Sequence, residues 1–374
     1  MREILFVAGE PSGDLHASSV ARELVARGAP FGLRGIGGDL MEAAGVQLDE
    51  HIRELAVLGF VEVIRHIPKH WRMLRDVRER IRSGQIALVI LVDYPGFNMR
   101  VAEIAAEAGV PVLYYIVPQV WAWGAGRLKK LARWVKKAAV ILPFEEALLR
   151  EHGVNATFVG HPLLDRATEM PTREQARDQL GIPPNARVLA LFPGSRAQEI
   201  DRHLDPFVET ANVLRDRDPS LRVVVSAAPH VSIDERRCPY PAIHGSSLAI
   251  LRAADAAICK SGTTTLEAAV AGCPHVVAYR THPLTYFAAQ RLVKIPHIGL
   301  VNVVAGRQVA PEFVQDALQP RAVARTMEPL LDHSSPQRQR MLTELDGVRR
   351  KLGEPGAARR VAAIAQVLAG GSDT

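Results

Sequence analysis

The chain has 374 residues, of which 48% are hydrophobic and 23% are charged, and these proportions exclude a small peptide module, a disordered protein and a fibrous one. Its length suggests two domains of ordinary size. The net charge of +6 indicates anionic partners, which include nucleic acid, phosphate-bearing substrates and an acidic membrane surface, and charge alone does not choose among them.

Cysteine usage and apolar runs bear on the cellular compartment. Cys238, Cys259 and Cys273 form no CxxC pair, and their odd number argues against both a disulfide framework and a zinc site, so we expect core thiols. The longest unbroken apolar run, Ile86–Val92, is far shorter than the roughly 20 residues that a membrane span needs. We therefore expect a cytoplasmic protein without a transmembrane segment.

Strand-length apolar runs alternate with amphipathic helical stretches, which is typical of parallel βαβ units with helices on both faces of a sheet. Strands of the first half are predicted at Ile4–Ala8, Leu33–Ile36, Ile86–Val92, Val110–Ile116, Ala138–Leu142 and Thr157–Val159, with helices over Leu15–Arg27 and Val101–Ala108. After a hinge near residues 160–172, strands follow at Val188–Phe192, Arg222–Ser226, Ala256–Cys259 and His275–Ala278.

Both halves begin with an apolar strand, a loop of small residues and a helix. The loops are Gly9–Asp14 and Pro193–Arg196. This pattern predicts an α/β protein of two Rossmann-like domains that face each other across a cleft, with ligands at the carboxyl ends of the strands. The predicted domains cover residues 1–165 and 166–345. A helical tail over 346–374 has no strand of its own to cover, and we expect it to cross back onto the first domain.

Two loops of the second half are candidates for binding a diphosphate. Gly194, Ser195 and Arg196 would direct backbone N–H groups, a helix N-terminus and a planar guanidinium at an anion, although a plain strand-to-helix turn is the alternative. A second loop repeats this design with Ser261, Gly262, Thr263 and Thr264. Glu267 would then accept hydrogen bonds from ribose hydroxyls, or form a capping box with Thr264. The joint occurrence of both loops favours a nucleotide diphosphate.

In the first half, Asp93 directly follows the most apolar strand, where partial burial would raise its pKa toward that of a working base. The alternative role is that of a helix N-cap, for which Asn98 is better placed. Glu10 and His16 are reserve candidates for the base. Trp121 and Trp123 follow another strand, where their indole faces would pack on a sugar ring or an acyl chain, or else in the core.

Residues 54–82 combine an apolar stripe and Trp71 with a basic flank, which predicts a helix lying in the interface of an anionic membrane. A helix packed on its own domain would show much the same stripe. The segment Arg127–Lys137 adds six cations and no acid. No nucleic-acid-binding signature accompanies the charge, so we expect no nucleic acid. Pro68 interrupts the spacing of His66 and His70, and we predict no metal and no cofactor.

Ten segments in chain order resemble the lipid-A-disaccharide synthase family, from residue 3 to about 320. They are Ala8–Asp14, Gly35–Gly38, Val57–Val63, Asp93–Asn98, Val117–Trp123, Leu142–Glu145, Val159–Pro162, Leu191–Arg196, Ser261–Thr263 with Leu266 and Glu267, and Asn302–Gly306. The resemblance implies an inverting, metal-independent glycosyltransferase of the GT-B fold. Such an enzyme joins UDP-2,3-diacylglucosamine to 2,3-diacylglucosamine 1-phosphate (lipid X), forming the β(1→6) disaccharide of lipid A and releasing UDP.

The resemblance also implies roles for individual residues. Asp93 and Arg196 would be essential, and Glu267 and Asn302 would belong to the nucleotide-sugar side. The other candidate substrate-binding residues are Glu10, Ser12, Gly13, His16, Trp121, Gly194, Ser195, Ser261, Gly262, Thr263 and Thr264. Gly96 stands where the family often has a second Asp, so Asp93 would carry any carboxylate role in that loop by itself.

The family is further expected to be peripheral on the inner face of the cytoplasmic membrane and to form a homodimer with interlocked C-terminal segments. Two rival functions stay open. One is a UDP-sugar 2-epimerase of the same fold, against which the interfacial segment argues. The other is a non-catalytic, lipid-bound nucleotide sensor, against which the position of Asp93 argues.

Overall fold

The structure is a computed structural model that describes residues 2–54, 60–121, 126–228, 231–282, 286–287 and 296–370. It divides into two compact units, of which one is Met1–Pro162 with Glu354–Thr374 and the other is Leu163–Gly353. Each unit is built on one parallel sheet with helices, which confirms the prediction of two Rossmann-like α/β domains.

The first unit contains a seven-stranded sheet. Its strands are β1 (Glu3–Ala8), β2 (Gly32–Gly37), β3 (Gln47–His51), β4 (Ile86–Val92), β5 (Val112–Tyr115), β6 (Lys137–Val140) and β7 (Ala156–Phe158). Its first six helices are α1 (Pro11–Ala26), α2 (Asp39–Ala43), α3 (Phe60–Arg82), α4 (Pro95–Glu107), α5 (Gly126–Trp134) and α6 (Glu145–Glu151). The strand order is β3-β2-β1-β4-β5-β6-β7, and all neighbours run parallel. Every residue of β4 is buried, because helices cover both faces of the sheet.

The second unit contains a six-stranded sheet of strands β8 (Val188–Phe192), β9 (Arg222–Ala227), β10 (Ala242–His244), β11 (Ala256–Lys260), β12 (His275–Tyr279) and β13 (Glu312–Val314). Its helices are α7 (Leu163–Ala167), α8 (Arg173–Gln179), α9 (Ala197–Arg217), α10 (Ser247–Ala253), α11 (Thr264–Ala271), α12 (Leu300–Ala305), α13 (Pro320–Leu331) and α14 (Pro336–Lys351). The order β10-β9-β8-β11-β12-β13 is again wholly parallel. The three cysteines are buried in this unit, as predicted.

In both sheets the order of the strands reverses at the centre, between β1 and β4 in the first and between β8 and β11 in the second. The connections that leave these two strands run to opposite sides of the sheet, which opens a crevice at their carboxyl ends. The candidate loops after β1, β4, β8 and β11 therefore lie where ligands bind in such sheets.

The predicted helical tail divides between the units. Helix α14 packs against α11, α12 and α13, with Met341, Leu345 and Val348 buried, so it belongs to the second unit. The last helix, α15 (Ala357–Gly370), crosses back to the first unit as predicted and packs on α1. Small side chains on both helices, such as Ala17 and Ala362, are buried at this contact and let the helices approach closely.

The apolar stripe predicted to face lipid is internal in α3 beyond Trp71. Met73 and Leu74 of the predicted stripe are buried in the core of the first unit, together with Val77 and Ile81, so the prediction is wrong for these two residues, whereas Trp71 is exposed. Residues 55–59 and the side chains of 54 and 60–68 lie outside what the structure describes. None of the helices among the described residues combines the length and the hydrophobicity that a membrane span requires.

Candidate functional site

Asp93 lies where β4 turns sharply into α4. Asp93 has a φ of +48° and Tyr94 a φ of +50°, so two successive residues with side chains adopt the left-handed conformation. Each such residue costs about 1–3 kcal/mol, and the conformation persists only where the surrounding structure over-determines it. Strain of this kind is concentrated at functional sites.

The backbone at this turn is held chiefly by Asn98. The buried Nδ2 of Asn98 donates to the carbonyl oxygen of Asp93 at 2.7 Å and contacts those of Val7 and Val92 at 3.3 Å each. The Tyr114 hydroxyl donates to the same Asp93 carbonyl at 2.9 Å. The expectation that Asn98 caps the helix is wrong, because α4 begins at Pro95 and Asn98 lies inside its first turn. Its side chain instead ties the ends of β1 and β4 together.

The surroundings of the Asp93 carboxyl group shift its pKa in the direction that favours proton abstraction. Burial raises its pKa above the ordinary aspartate value, the negative charge of Glu10 raises it further, and a hydrogen bond from the Tyr94 backbone partly opposes both. Tyr94 packs so closely on Gly9 that a Cβ atom there would lie 2.3 Å from the Tyr94 ring. The position therefore admits only glycine, and the strand end after β1 can approach the Asp93 turn.

The first candidate loop is largely helical. Pro11 occupies the first helical position of α1, so Ser12, Gly13 and Asp14 form its first turn rather than a loop. Ser12 is exposed and Gly13 is buried. Asp14 is structural, because its carboxylate accepts hydrogen bonds from the backbone N–H groups of residues 38, 40 and 41 and so caps α2.

The reserve base His16 is half-buried one turn further along α1, and its ring packs edge-on against Tyr115, with centroids 6.3 Å apart. The neighbouring His161 is buried. Burial lowers the pKa of His161 to about 3, with a further contribution from the charge of His16, so the His161 ring is neutral at physiological pH. Glu10, at the N-terminus of the same helix, is exposed.

Trp121 is held by the carboxylate of Glu145, which was not among the predicted site residues. The Trp121 Nε1 donates to Oε1 of Glu145 at 3.0 Å, and its ring packs edge-on against Phe144. The other oxygen of Glu145 accepts from the Leu142 N–H at 3.1 Å, and burial raises the pKa of Glu145 to about 7. A glutamate at the first position of a short helix resembles an ordinary helix-start acid, so only its burial distinguishes it. Trp123 lies outside the described residues.

In the second unit a cavity of about 260 Å³ lies at the carboxyl ends of β8, β9 and β11. Seven predicted site residues line it, namely Gly194, Ser195, Ser261, Gly262, Thr263, Thr264 and Glu267. The ends of β9 and the start of α10 add Ser226, Ala227, Ala228, Gly245 and Ser247. Helices α9 and α11 both begin at this cavity. Their N-termini favour an anionic ligand, because the backbone N–H groups and the positive ends of the helix dipoles lie there.

The loop after β8 depends on glycine. Gly194 has a φ of +135°, and a Cβ atom there would lie 2.5 Å from that of Glu199. The Ser195 N–H donates to Oε2 of Glu199 at 3.0 Å, and Nζ of Lys260 lies 2.8 Å from Oε1. Burial opposes ionisation of Glu199, but its hydrogen bond and ion pair with Lys260, the Ser195 N–H and the charge of Arg196 hold its pKa below the ordinary value.

Glu267 and Asn302 differ in what they contact. Glu267 is only 8% exposed at the cavity, and it accepts a hydrogen bond from Arg166 at 3.1 Å. The alternative of a capping box with Thr264 is wrong, because the N-cap of α11 is Thr263 and no side chain caps it. Asn302 is fully buried, with its amide bonded to residues 309, 310 and 312, and it does not line the cavity. Its contact with substrate stays a prediction.

A family model and the sequences of curated proteins identify the same family. Residues 4–366 match the family model described as lipid-A-disaccharide synthetase. A lipid-A-disaccharide synthase from Geobacter metallireducens is 40% identical over 380 residues, which cover 99% of this chain and 98% of that protein.

Solved structures share the fold at low identity. A glycosyltransferase of kitacinnamycin has a TM-score of 0.65 at 18% identity and covers 98% of each chain. The UDP-GlcNAc 2-epimerase from Neisseria meningitidis has a TM-score of 0.63 at 10% identity, covering 97% of this chain and 99% of that one. These likenesses concern the fold alone, and they confirm the predicted GT-B architecture.

Proposed function

Because the chain belongs to the lipid-A-disaccharide synthase family, and is thus a glycosyltransferase that forms the lipid A disaccharide, we propose that its substrates are UDP-2,3-diacylglucosamine and 2,3-diacylglucosamine 1-phosphate. The products are the β(1→6)-linked disaccharide 1-phosphate and UDP. The observation that carries this proposal is the cavity of the second unit, where two loops rich in N–H groups surround a space of about 260 Å³.

The second unit is the proposed nucleotide-binding half. The N–H groups and helix N-termini of the loops at 194–196 and 261–264 would bind the diphosphate, and Arg196 would present its planar guanidinium to the phosphate oxygens. Glu267 would accept hydrogen bonds from the ribose hydroxyls. Its contact with Arg166 supports this assignment, since the guanidinium fixes the position of the carboxylate at the cavity wall.

The first unit is the proposed acceptor half. Asp93 would remove the proton from the acceptor 6-hydroxyl while that oxygen attacks the anomeric carbon and the bond to the diphosphate breaks. Arg196 and the two loops would stabilise the negative charge on the departing UDP. A single displacement of this kind inverts the anomeric carbon without a covalent enzyme intermediate. The raised pKa of Asp93 supports its role, and Trp121, held by Glu145, would pack on the acceptor.

We also propose that the first unit attaches to the anionic inner face of the cytoplasmic membrane. Trp71 is 58% exposed, and the Arg100 guanidinium lies 5.2 Å from the centre of its ring. On α5 the side chains of Arg127, Lys129, Lys130 and Arg133 are exposed. Aromatic and basic side chains together favour the interface of an anionic bilayer.

A homodimer with interlocked C-terminal segments stays a prediction. In this chain α15 packs on α1, and Arg360 donates from Nε to the Val159 carbonyl at 2.8 Å. Light scattering in detergent measures the mass of the particle, and a mass of one chain at every concentration would contradict the dimer.

Mass spectrometry of the products tests the proposed reaction. Incubation with both acylated glucosamine substrates should yield the disaccharide 1-phosphate, and UDP should appear only when the acceptor is present. Release of an epimerised sugar from the nucleotide substrate, without disaccharide, would favour the epimerase instead. Binding of UDP without any turnover would favour a nucleotide sensor.

A further inference from the structure

Two donors in the nucleotide cavity are already bound to a carboxylate of the protein. Glu199 accepts the Ser195 N–H through Oε2 at 3.0 Å, and its Oε1 lies 2.8 Å from Nζ of Lys260. All three residues line the cavity, and the side chains of Lys260 and Glu199 are only 20% and 17% exposed. The pair joins the first turn of α9 to the end of β11, so it spans both candidate loops.

This arrangement has the donors of a phosphate site and a carboxylate in place of the phosphate. A phosphate at such a loop takes its hydrogen bonds from backbone N–H groups and from a cation, which here are the Ser195 N–H and the Lys260 ammonium. Arg196 adds a second positive charge that acts on Glu199. A half-buried lysine without a counter-charge is costly, and Glu199 removes that cost in the absence of nucleotide.

We propose that Lys260 is a further ligand of the nucleotide diphosphate, and that Glu199 occupies its ammonium and the Ser195 N–H until the diphosphate displaces the carboxylate. This inference rests on the proposed function, because it assumes that the cavity binds a nucleoside diphosphate. Glu199 also lies at the third position of α9, where a glutamate side chain commonly accepts a hydrogen bond from the residues before the helix. The experiment must therefore distinguish a Glu199 that only caps α9 from a Glu199 whose carboxylate the diphosphate displaces.

The two roles predict different effects of neutralising Glu199 on UDP binding. If the diphosphate has to displace the carboxylate, Glu199→Gln removes a competing charge and should tighten UDP binding by about threefold to tenfold. If Glu199 only shapes the loop, the same change should leave UDP binding unaltered or weaken it. Glutamine still accepts the Ser195 N–H, so the helix start keeps its hydrogen bond in either case.

Calorimetry with UDP and ligand-observed NMR with uridine make the test specific for the diphosphate. Glu199→Gln should tighten UDP and leave uridine unchanged, and Lys260→Met should weaken UDP about tenfold without affecting uridine. The double variant should bind UDP more weakly than Glu199→Gln alone, which separates the loss of a ligand from repulsion by an unpaired Glu199. Asp201→Asn is the matched control, since it removes the same charge from the same helix at an exposed position that pairs with Arg237.

Equal or weaker UDP binding by Glu199→Gln overturns the displacement, and unchanged UDP binding by Lys260→Met overturns the role of Lys260. A structure of the UDP complex gives a test that no variant's folding can affect. Contact between Lys260 Nζ and a phosphate oxygen supports the inference, whereas an intact pair of Lys260 with Glu199 contradicts it. Failure of the parent protein to bind UDP at all would overturn the proposed nucleotide site itself, so the two failures are distinguishable.

Discussion

Asp93 takes its proposed reactivity from its surroundings rather than from its residue type. An aspartate in water is a weak base, and burial with a neighbouring carboxylate raises its pKa. Asn98 and Tyr114 hold the backbone carbonyl of the same residue, so the side chain projects from a fixed turn. A positioned base of this kind is effective because its geometry is set before substrate binds.

The nearly isosteric change Asp93→Asn should lower turnover by roughly 10²- to 10⁴-fold, because an amide cannot accept the proton from the acceptor hydroxyl. UDP binding should change little. Radiochemical turnover and calorimetry measure the two quantities, and circular dichroism checks the fold. Asp76→Asn, an exposed aspartate of the same unit, is the control. Turnover close to that of the parent would move the assignment to Glu10 or His16.

The variant Glu10→Gln should shift the acidic limb of the pH profile to lower pH. The base works only when ionised, and the negative charge of Glu10 raises the pKa of Asp93, so removing that charge lowers this pKa. Activity at acidic pH should then persist further than in the parent. The profile of kcat/KM against pH measures the limb, and a limb that stays in place would show that Glu10 does not act on the base.

For Arg196, replacement by alanine should weaken UDP binding, and replacement by lysine should restore it poorly. One ammonium group cannot reproduce the two parallel hydrogen bonds of a guanidinium to phosphate oxygens. Calorimetry with UDP measures both variants. Arg217→Ala serves as control, because Arg217 lies at the opposite end of α9 and pairs with Glu328. Undiminished affinity in Arg196→Ala would place the diphosphate elsewhere.

At the scale of elements, the buried carboxylate of Asp255 connects α8 and β8 to the start of β11, at the end of the sheet away from the cavity. Asp255 is 1% exposed and precedes β11, and it accepts hydrogen bonds from Arg173 and Arg177 of α8, from the backbone of Val188 in β8 and from His333. Burial disfavours its charge, but the Val188 N–H, the charges of Arg173 and Arg177 and the hydrogen bond with His333 hold its pKa below the ordinary value. The group therefore connects two strands and a helix through one charge.

We expect Asp255→Asn to destabilise the second unit by about 3–5 kcal/mol, because the buried Arg177 loses its counter-charge. Since folding lowers the pKa of Asp255, its stabilisation is present at neutral pH and is lost as the pH falls through that lowered pKa. Calorimetric unfolding at several pH values measures both effects. The exposed variant Asp201→Asn should unfold like the parent, and an equal stability of Asp255→Asn would mean that the network contributes nothing.

At the scale of the whole molecule, the exposed Trp71 and the exposed cations of α5 allow a test of the proposed membrane-binding surface of the first unit. Replacing Trp71 by Ser together with Lys129 and Lys130 by Gln should reduce sedimentation with anionic vesicles, because both aromatic insertion and basic contacts are lost. High salt should weaken binding of the parent only partly, since screening leaves the apolar share. Replacement of Arg215 and Arg217 of the second unit by Gln is the control, and it should leave sedimentation unchanged. Unchanged sedimentation of the triple variant would contradict this surface.

What the sequence by itself determined is local in origin. The period of apolar residues predicts the central strands of both sheets, and β4 and β8 coincide with their predicted bounds. Small residues after β8 and β11 predict the two loops of the cavity, because strand, turn and helix follow one another within a few residues. Family motifs spread along the chain identify the glycosyltransferase without reference to any contact.

Tertiary structure alone decided which groups meet. Several contacts join residues that are distant in sequence. They are the pair of Glu199 with Lys260, the contact of Asn98 with β1, the contact of Glu145 with Trp121 and the packing of α15 on α1. The edge strands β3, β10 and β13 are short and largely not buried, so no apolar pattern marks them. The apolar stripe on α3 suits a lipid surface and a protein core equally well, because the hydrophobic effect is non-directional. Only the position of the helix against the sheet decides which of the two the stripe contacts.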